Sequence, residues 1–443
     1  MFAIAALTAA CGGTPSSPPP RPAPTTTAEA APPALEKVAV TVPDELKEGP
    51  FETQQYAEVP PGWKIAVWAR IPGVRFPAWA QDGGLLLTSP ADGQVLRAVN
   101  DPSGKARVDV VLDNLNQPLG IAFDGRTVYV AESDTITSYD YEQGKLVNPR
   151  PVAKNLPDAK SADLGGTYAH ALKNVVVGPD RSLYYSVGST GNISVEDRDA
   201  TPQRAVIMRI PPTPGAAPEV FARGVRNGTG LAIAPDGAVW TAVNHRDNIL
   251  YPHDRSYEGN GGSSRGQLID AYLANHPAEQ LAKLTAGRDL GWPFCNSDPD
   301  VNPGAPDTAF DYTTPAFVND VELNPDGTKL DCSSLTPVEQ SFPAHSAPLG
   351  ITFVTVPGPY GQGALVGLHG SWNANPPRAP EVSFFPYKNG QLGKQQTLVG
   401  GFQNADGSRW GRPVAATVGP DDAVYVTDDT AAAVYRLTPP GVR

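Results

Sequence analysis

Gly230-Leu231-Ala232-Ile233-Ala234-Pro235-Asp236-Gly237-Ala238-Val239-Trp240 is the stretch that decides the fold. Apolar residues run up to a Pro-Asp-Gly turn and resume directly after it. Asp and Gly accept the positive φ of a tight hairpin, so the segment reads as two antiparallel strands. Upstream, the same phrase occurs as Ala78-Trp79-Ala80-Gln81-Asp82-Gly83-Gly84-Leu85-Leu86-Leu87. It recurs as Gly120-Ile121-Ala122-Phe123-Asp124-Gly125 running into Val128-Tyr129-Val130, and over residues 174–187 with Gly178-Pro179-Asp180 as the turn. Downstream, one copy begins Leu349-Gly350-Ile351-Thr352-Phe353 and turns through Pro359-Tyr360-Gly361. The last covers residues 415–426 and turns at Gly419-Pro420-Asp421-Asp422. Asp82, Asp124, Asp180 and Asp236 are spaced by 42, 56 and 56 residues, which suits a four-stranded blade plus loops. Six copies predict an all-β, six-bladed β-propeller; a sandwich of unrelated hairpins is the alternative. The fifth copy arrives late, so a long insertion, about 249–342, is expected between the fourth and fifth blade repeats.

Composition agrees. The 443 residues include 44 Gly and 48 Pro, which helix interiors tolerate poorly. The net charge of −12 argues against nucleic acid as a partner, which needs a positive field. No apolar run reaches the roughly 18 to 20 residues of a membrane-spanning helix.

Residues 1–11 read as a truncated lipoprotein signal ending in Ala9-Ala10-Cys11, with Cys11 as the lipidation site and the true start upstream. Residues 12–55 read as a disordered Pro/Thr/Ala-rich tether, and 56–443 as the propeller. The expectation is an exported chain at the cell surface or the outer face of the cytoplasmic membrane, touching the membrane only through its lipid. In that setting Cys295 and Cys332 suggest one disulfide closing a loop of about 37 residues; two separate buried thiols are the alternative.

The repeat also sorts the polar residues. Slots just before each first strand and just after each second strand share one face of the disc. They hold Arg75, Asn116, Gln117, His170, Arg226, Asn227, His345 and Arg412 before the strands. After them come Glu132, Asn244-His245-Arg246-Asp247, the run 369–373, Asp428 and Asp429. Four of the six histidines gather there, predicting a polar axial mouth with a positive centre, suited to an anionic ligand.

Seven motifs in blade order resemble the soluble quinoprotein glucose and sorbosone dehydrogenase family. They are His170 leading into Asn174-Val175-Val176-Val177-Gly178-Pro179-Asp180, Gly224-Val225-Arg226-Asn227, Asn244-His245-Arg246-Asp247, Gly291-Trp292-Pro293, Ala344-His345-Ser346-Ala347-Pro348-Leu349-Gly350, His369-Gly370-Ser371-Trp372-Asn373, and Gly411-Arg412-Pro413-Val414. The resemblance covers residues 62–437. It implies a six-bladed propeller carrying pyrroloquinoline quinone (PQQ) on its axis, with a sugar as substrate and a separate electron acceptor. It makes His170 the general base and Arg226 and Arg412 the clamp on the PQQ carboxylates. Asn227, His345, His369, Trp372 and Gln117 would line the cofactor. The backbone carbonyls of Arg246 and Asp247 would hold Ca²⁺ on the quinone oxygens.

The chain departs from the family in places. Ala169 stands where relatives carry an Asp before the catalytic His. Trp410 stands where a second arginine is expected near Arg412. His369 occupies a slot that is lysine in some members. Residues 249–290 are longer than expected and are placed to cap the mouth. Two other functions share the fold: a Ca²⁺-dependent lactonase built from Glu132, Asn227 and Asp428, and a non-catalytic carbohydrate-binding propeller. No Cys-X-X-Cys-His motif is present, so electrons must leave to a partner.

Overall fold

The computed structural model describes residues 33–442, except 102–104, 162, 163, 165, 260, 306 and 373. The expected lipidation site Cys11 and most of the expected tether lie outside the described residues.

All six hairpins form. Pro77–Trp79 pairs with Leu85–Ser89, Gly120–Asp124 with Thr127–Ala131, and Val175–Val177 with Leu183–Val187. Gly230–Ile233 pairs with Val239–Val243, Pro348–Val356 with Gly361–Leu368, and Pro413–Val418 with Val424–Asp428. Each is extended outward by a third and a fourth strand, giving six antiparallel blades. The outermost strand of blade 6 is Lys64–Arg70, which precedes blade 1 in sequence and pairs with Ala433–Thr438. The two ends of the chain thus close the ring.

The turn aspartates do more than turn. Asp82, Asp180 and Asp236 each accept from a backbone N–H two residues on, at 3.0 Å. Each also meets a cation on its blade's third strand: Arg97 at 2.9 Å, Arg209 at 3.0 Å and Lys283 at 3.2 Å. Asp421 and Arg436 repeat the pair in blade 6 at 2.8 Å. One residue therefore fixes both the hairpin and the next strand.

The first strand of each repeat lines the axis. A Cβ on Gly120 would lie 2.5 Å from Val175 N, and one on Gly350 2.6 Å from Ala415 Cβ. Glycine there lets neighbouring inner strands approach. Between them runs a channel of ≈ 400 Å³ lined by Ile121, Phe123, Val175, Leu231, Ile233, Ile351 and Phe353. Phe76, Leu119, Leu172, Leu349 and Val414, from five blades, pack together where these strands begin and form an apolar floor beneath the polar slots.

Two expected boundaries move. Residues 36–55, placed with the tether, are folded onto the propeller. Glu36–Ala39 pairs with Tyr56–Val59, and Phe51 is buried edge-on against Trp410 and Tyr435. Val38, Val40 and Phe51 supply apolar contacts that a Pro/Thr/Ala segment lacks. The insertion is also not one block. Glu279–Leu284 and Gln340–Phe342 are the third and fourth strands of blade 4. The added residues form two excursions, 244–278 and 285–339. Neither strand is announced by an Asp-Gly turn, so the repeat pattern passed over them. The second excursion carries the hairpin Cys295–Asp298/Ala316–Asn319, and Cys295 is disulfide-bonded to Cys332 as expected, with Cα atoms 5.6 Å apart.

Candidate active site

The polar slots do share one face. Blades 5, 6 and 1 meet through Asp429: Arg75 Nη2 lies 2.6 Å from its carboxylate and His369 Nε2 2.8 Å. Burial works against the Asp429 charge, but His369 and Arg75 overcome it and pull its pKa down to about 2. Burial lowers the His369 pKa, Asp429 opposes it, and the Arg412 and Arg75 charges add to the lowering, while the ring donates from Nε2 to Asp429. Arg412 donates from Nε to the His369 carbonyl (2.7 Å) and from Nη2 to the Gly370 carbonyl (3.0 Å). Nothing among the described residues accepts from Nη1.

Arg412 stands between two cavities. One, ≈ 510 Å³, is lined by Arg75, Gln117, Leu172, His369, Arg412 and Asp429. The other, ≈ 400 Å³, is lined by Ser371, Trp372, Pro377, Arg409 and Arg412. Trp372 is 76 % exposed, a flat apolar face at the edge of the second cavity. Gln117 reaches its place with a positive φ of 53°. Position 410, where a second arginine is expected, is Trp410, and the neighbouring Arg409 lines the second cavity with Arg412. Trp410 is instead a core residue, 5 % exposed, donating to the Gly401 carbonyl and packed on Phe402. The sequence reading does not single out Arg409.

Arg226 behaves differently from Arg412. Its guanidinium is buried and donates to the Asn192 carbonyl (3.2 Å), the Asn244 carbonyl (3.0 Å) and Asn192 Oδ1 (3.0 Å). It is a strut for blades 3 and 4, with Asp247 3.8 Å away. Asn227 beside it holds a buried Oδ1 with no partner among the described residues.

His170 lies above the floor, two residues before Leu172. Its Nδ1 is 3.1 Å from the Ser189 carbonyl and 2.9 Å from Ser189 Oγ. The Ser189 hydroxyl donates onward to the Gly191 carbonyl (2.7 Å), so both groups accept from Nδ1. That fixes the proton on Nδ1 and leaves Nε2 as a lone pair. Ser189 thereby takes the orienting part that Ala169 cannot. Burial and the Arg226 charge push the His170 pKa down to about 3, so the ring is neutral across the ordinary range.

His345 is held by Asp247 Oδ1 at Nδ1 (3.1 Å) and by the Leu273 carbonyl at Nε2 (2.8 Å). Both partners are acceptors, and they raise its pKa against burial, favouring the cation. It sits at a left-handed φ of 62°, a strained backbone position of the kind that gathers at functional sites. Arg378 donates to the Ala274 carbonyl (3.2 Å). The first excursion is therefore fastened to blade 5 beside His345.

Of the carbonyls expected to hold calcium, that of Asp247 has one of its two lone pairs engaged. The Asp247 carbonyl already accepts from Asn192 Nδ2 (2.9 Å), while Asn192 Oδ1 accepts from Asp247 N (2.8 Å). The Arg246 side chain is buried on Asp320 and Glu322. The lactonase trio does not converge. Asp428 is fully buried and accepts from Arg412 N, Ala431 N and Tyr435 Oη. Burial pushes its pKa up to about 6.

A six-bladed propeller with an arginine- and histidine-lined axial mouth is the class that fold and site define. The chain belongs to the TrAA12-like family, whose model matches residues 57–440. Among solved structures it is similar to the holo form of the pyranose dehydrogenase PQQ domain from Coprinopsis cinerea: TM-score 0.68, 21 % identity, 91 % of this chain and 100 % of that one. It is also similar to the calcium structure of Trichoderma reesei carbohydrate-active enzymes family AA12: TM-score 0.68, 18 % identity, 86 % of this chain and 96 % of that one. Quinoprotein glucose dehydrogenase B of Acinetobacter calcoaceticus is 24 % identical over 214 residues, 36 % of this chain and 43 % of that protein. The resemblance read from the sequence is met at the level of family and fold.

Proposed function

We propose that the protein is a PQQ-dependent dehydrogenase of sugars or related polyols, exported and held at the membrane face by a lipid on Cys11. The observation that carries this is His170: a neutral ring with its free Nε2 oriented by Ser189, on the same face as cavities lined by three arginines. The donor set suits a flat polyanion. Arg75, Arg409 and Arg412 would meet carboxylates, Gln117 and Asn227 Oδ1 would meet polar edges, and Trp372 would cover a ring face. The PQQ domain of the similar pyranose dehydrogenase adds support for that ligand.

When bound, PQQ supplies an ortho-quinone that accepts hydride. The chain supplies the rest. His170 Nε2 takes the hydroxyl proton of the sugar as its C–H bond breaks, leaving a carbonyl product. Ser189 holds the ring in the required tautomer. The arginines fix the acceptor. The electrons would leave to a separate acceptor.

Reconstitution tests this. Apoprotein is given PQQ with and without Ca²⁺, and dye reduction is followed over a sugar panel. Sugar-dependent reduction only with PQQ is expected. Lactone hydrolysis with Ca²⁺ alone, or no turnover of either kind, would overturn the proposal.

A further inference from the structure

The two excursions of blade 4 carry a second set of ligand-type side chains outside the mouth. His253, Asp298 and Asp300 bring one imidazole nitrogen and two carboxylate oxygens within 4.8 Å of one another. The carboxylates are buried, with side chains 1 % and 2 % exposed. His276 Nε2 pairs with both carboxylates, 3.4 Å from Asp298 Oδ1 and 2.9 Å from Asp300 Oδ1, so the cluster holds two buried carboxylates, one balancing imidazolium and a second imidazole in His253. His253 Nε2 is 3.1 Å from Asp298 Oδ2. Ligands about 2.0 to 2.2 Å from a shared tetrahedral ion stand about 3.3 to 3.6 Å apart; the His253–Asp298 pair is already that close, and the trio, within 4.8 Å, would draw in around an ion.

The surroundings are those of a metal site. His276 lies flat on Tyr272, with ring centroids 3.9 Å apart. It donates from Nδ1 to the Tyr272 carbonyl (2.8 Å) and from Nε2 to Asp300 Oδ1 (2.9 Å). Such an outer partner orients a ligating carboxylate. Independently, the Tyr272 hydroxyl is buried with no partner among the described residues, in the field of Asp298 and Asp300. A water bound to an ion there would satisfy it. His253 also forms part of the wall of a ≈ 550 Å³ surface cavity with Arg265, Asn319 and Asp326, which gives an entry path.

We propose that His253, Asp298 and Asp300 bind a divalent first-row transition ion of the zinc or manganese kind, with water completing the shell beside Tyr272. An imidazole with two carboxylates suits these ions better than calcium, which takes oxygen ligands. The ion ties the first excursion, which contributes His253, to the second, which contributes both aspartates. The helix Asp270–Leu273 lies in that first excursion, and its Leu273 carbonyl holds His345. The site is thus a clasp for the two excursions.

The test uses the whole chain without PQQ, stripped with chelator, loaded with ZnCl₂ or MnCl₂, desalted and assayed for metal by mass spectrometry. Wild type retains about one equivalent, and its melting temperature rises by several degrees on loading. His253→Ala and Asp298→Asn bind at least about 10-fold more weakly and lose that rise. His253 is partly exposed, so its variant folds and keeps the comparison valid even where Asp298→Asn does not. Wild type that retains neither ion, or His253→Ala that retains it equally, would mean a metal-free cluster of ion pairs and sink the proposal. No dehydrogenase activity enters the readout, so the result stands apart from the quinone reading.

Discussion

His170 and Ser189 act as one unit. His170→Ala should lower turnover by about 10² to 10⁴ with PQQ affinity nearly kept, because the proton moves only in the transition state. Ser189→Ala should lower kcat less, by freeing the wrong tautomer; pre-steady-state dye reduction at saturating PQQ reads both. Equal turnover in His170→Ala would move the base elsewhere. The two arginines should separate as well. Arg412→Ala should weaken PQQ binding by about 2 to 5 kcal/mol, the usual loss for one side of a desolvated charge pair. Arg226→Ala should instead lower thermal stability, since it strips donors from Asn192 and Asn244. Titrating PQQ into both variants, alongside melting curves, distinguishes clamp from strut. His170, His369 and Arg412 could be found in the sequence because each stands at a fixed offset from a hairpin. Arg226 could be placed but not weighed, because its donors are consumed by Asn192, 34 residues away in sequence. Arg409 is not singled out by the sequence; it stands beside a large aromatic that the core claims.

At the level of elements, the hairpins were legible because Asp-Gly turns and alternating apolar runs are local signals. The third and fourth strands of blade 4 were not, because their partners are set by long-range pairing across two excursions. The disulfide sits in the second of these. In the chain-entropy picture a loop of 37 residues gives it about 4 kcal/mol. Replacing both Cys295 and Cys332 by Ala should loosen residues 285–339 before the propeller itself opens. Hydrogen exchange should show faster exchange at Cys295–Asp298 and Ala316–Asn319, with the inner strands of blades 1, 2 and 6 unchanged. Uniform loosening of the whole chain would contradict this.

Across the whole molecule, buried titrating groups set the acid limit. His170 and His245 both have pKa values pushed down to about 3, by burial first and then by neighbouring arginine charge. The unfolded chain binds those two protons below about pH 6.5, so each histidine costs stability as pH falls from 6.5 toward 3. Glu279 and Asp428 oppose this. Burial raises their pKa values to about 7 and about 6, so the folded chain binds their protons first and gains as pH falls through that range. Stability should therefore be nearly flat between about pH 4.5 and 6.5 and drop steeply below, where unfolded carboxylates also take up protons. Melting temperatures across pH 3 to 8 check this; a steady decline beginning at pH 6.5 would show that the carboxylates do not compensate.

Ring closure has a consequence for timing. Blade 6 needs Lys64–Arg70 from one end of the propeller and Ala433–Thr438 from the other, and it carries Arg412 and Asp429. During synthesis Lys64–Arg70 therefore waits for its partner until Ala433–Thr438 has been made. Until then Arg75 and His369 lack the carboxylate that joins them. A chain cut before blade 6 has five blades and an open seam beside Arg75 and His369, so the junction at Asp429 forms only when the ring is closed, whatever the order in which the other blades fold.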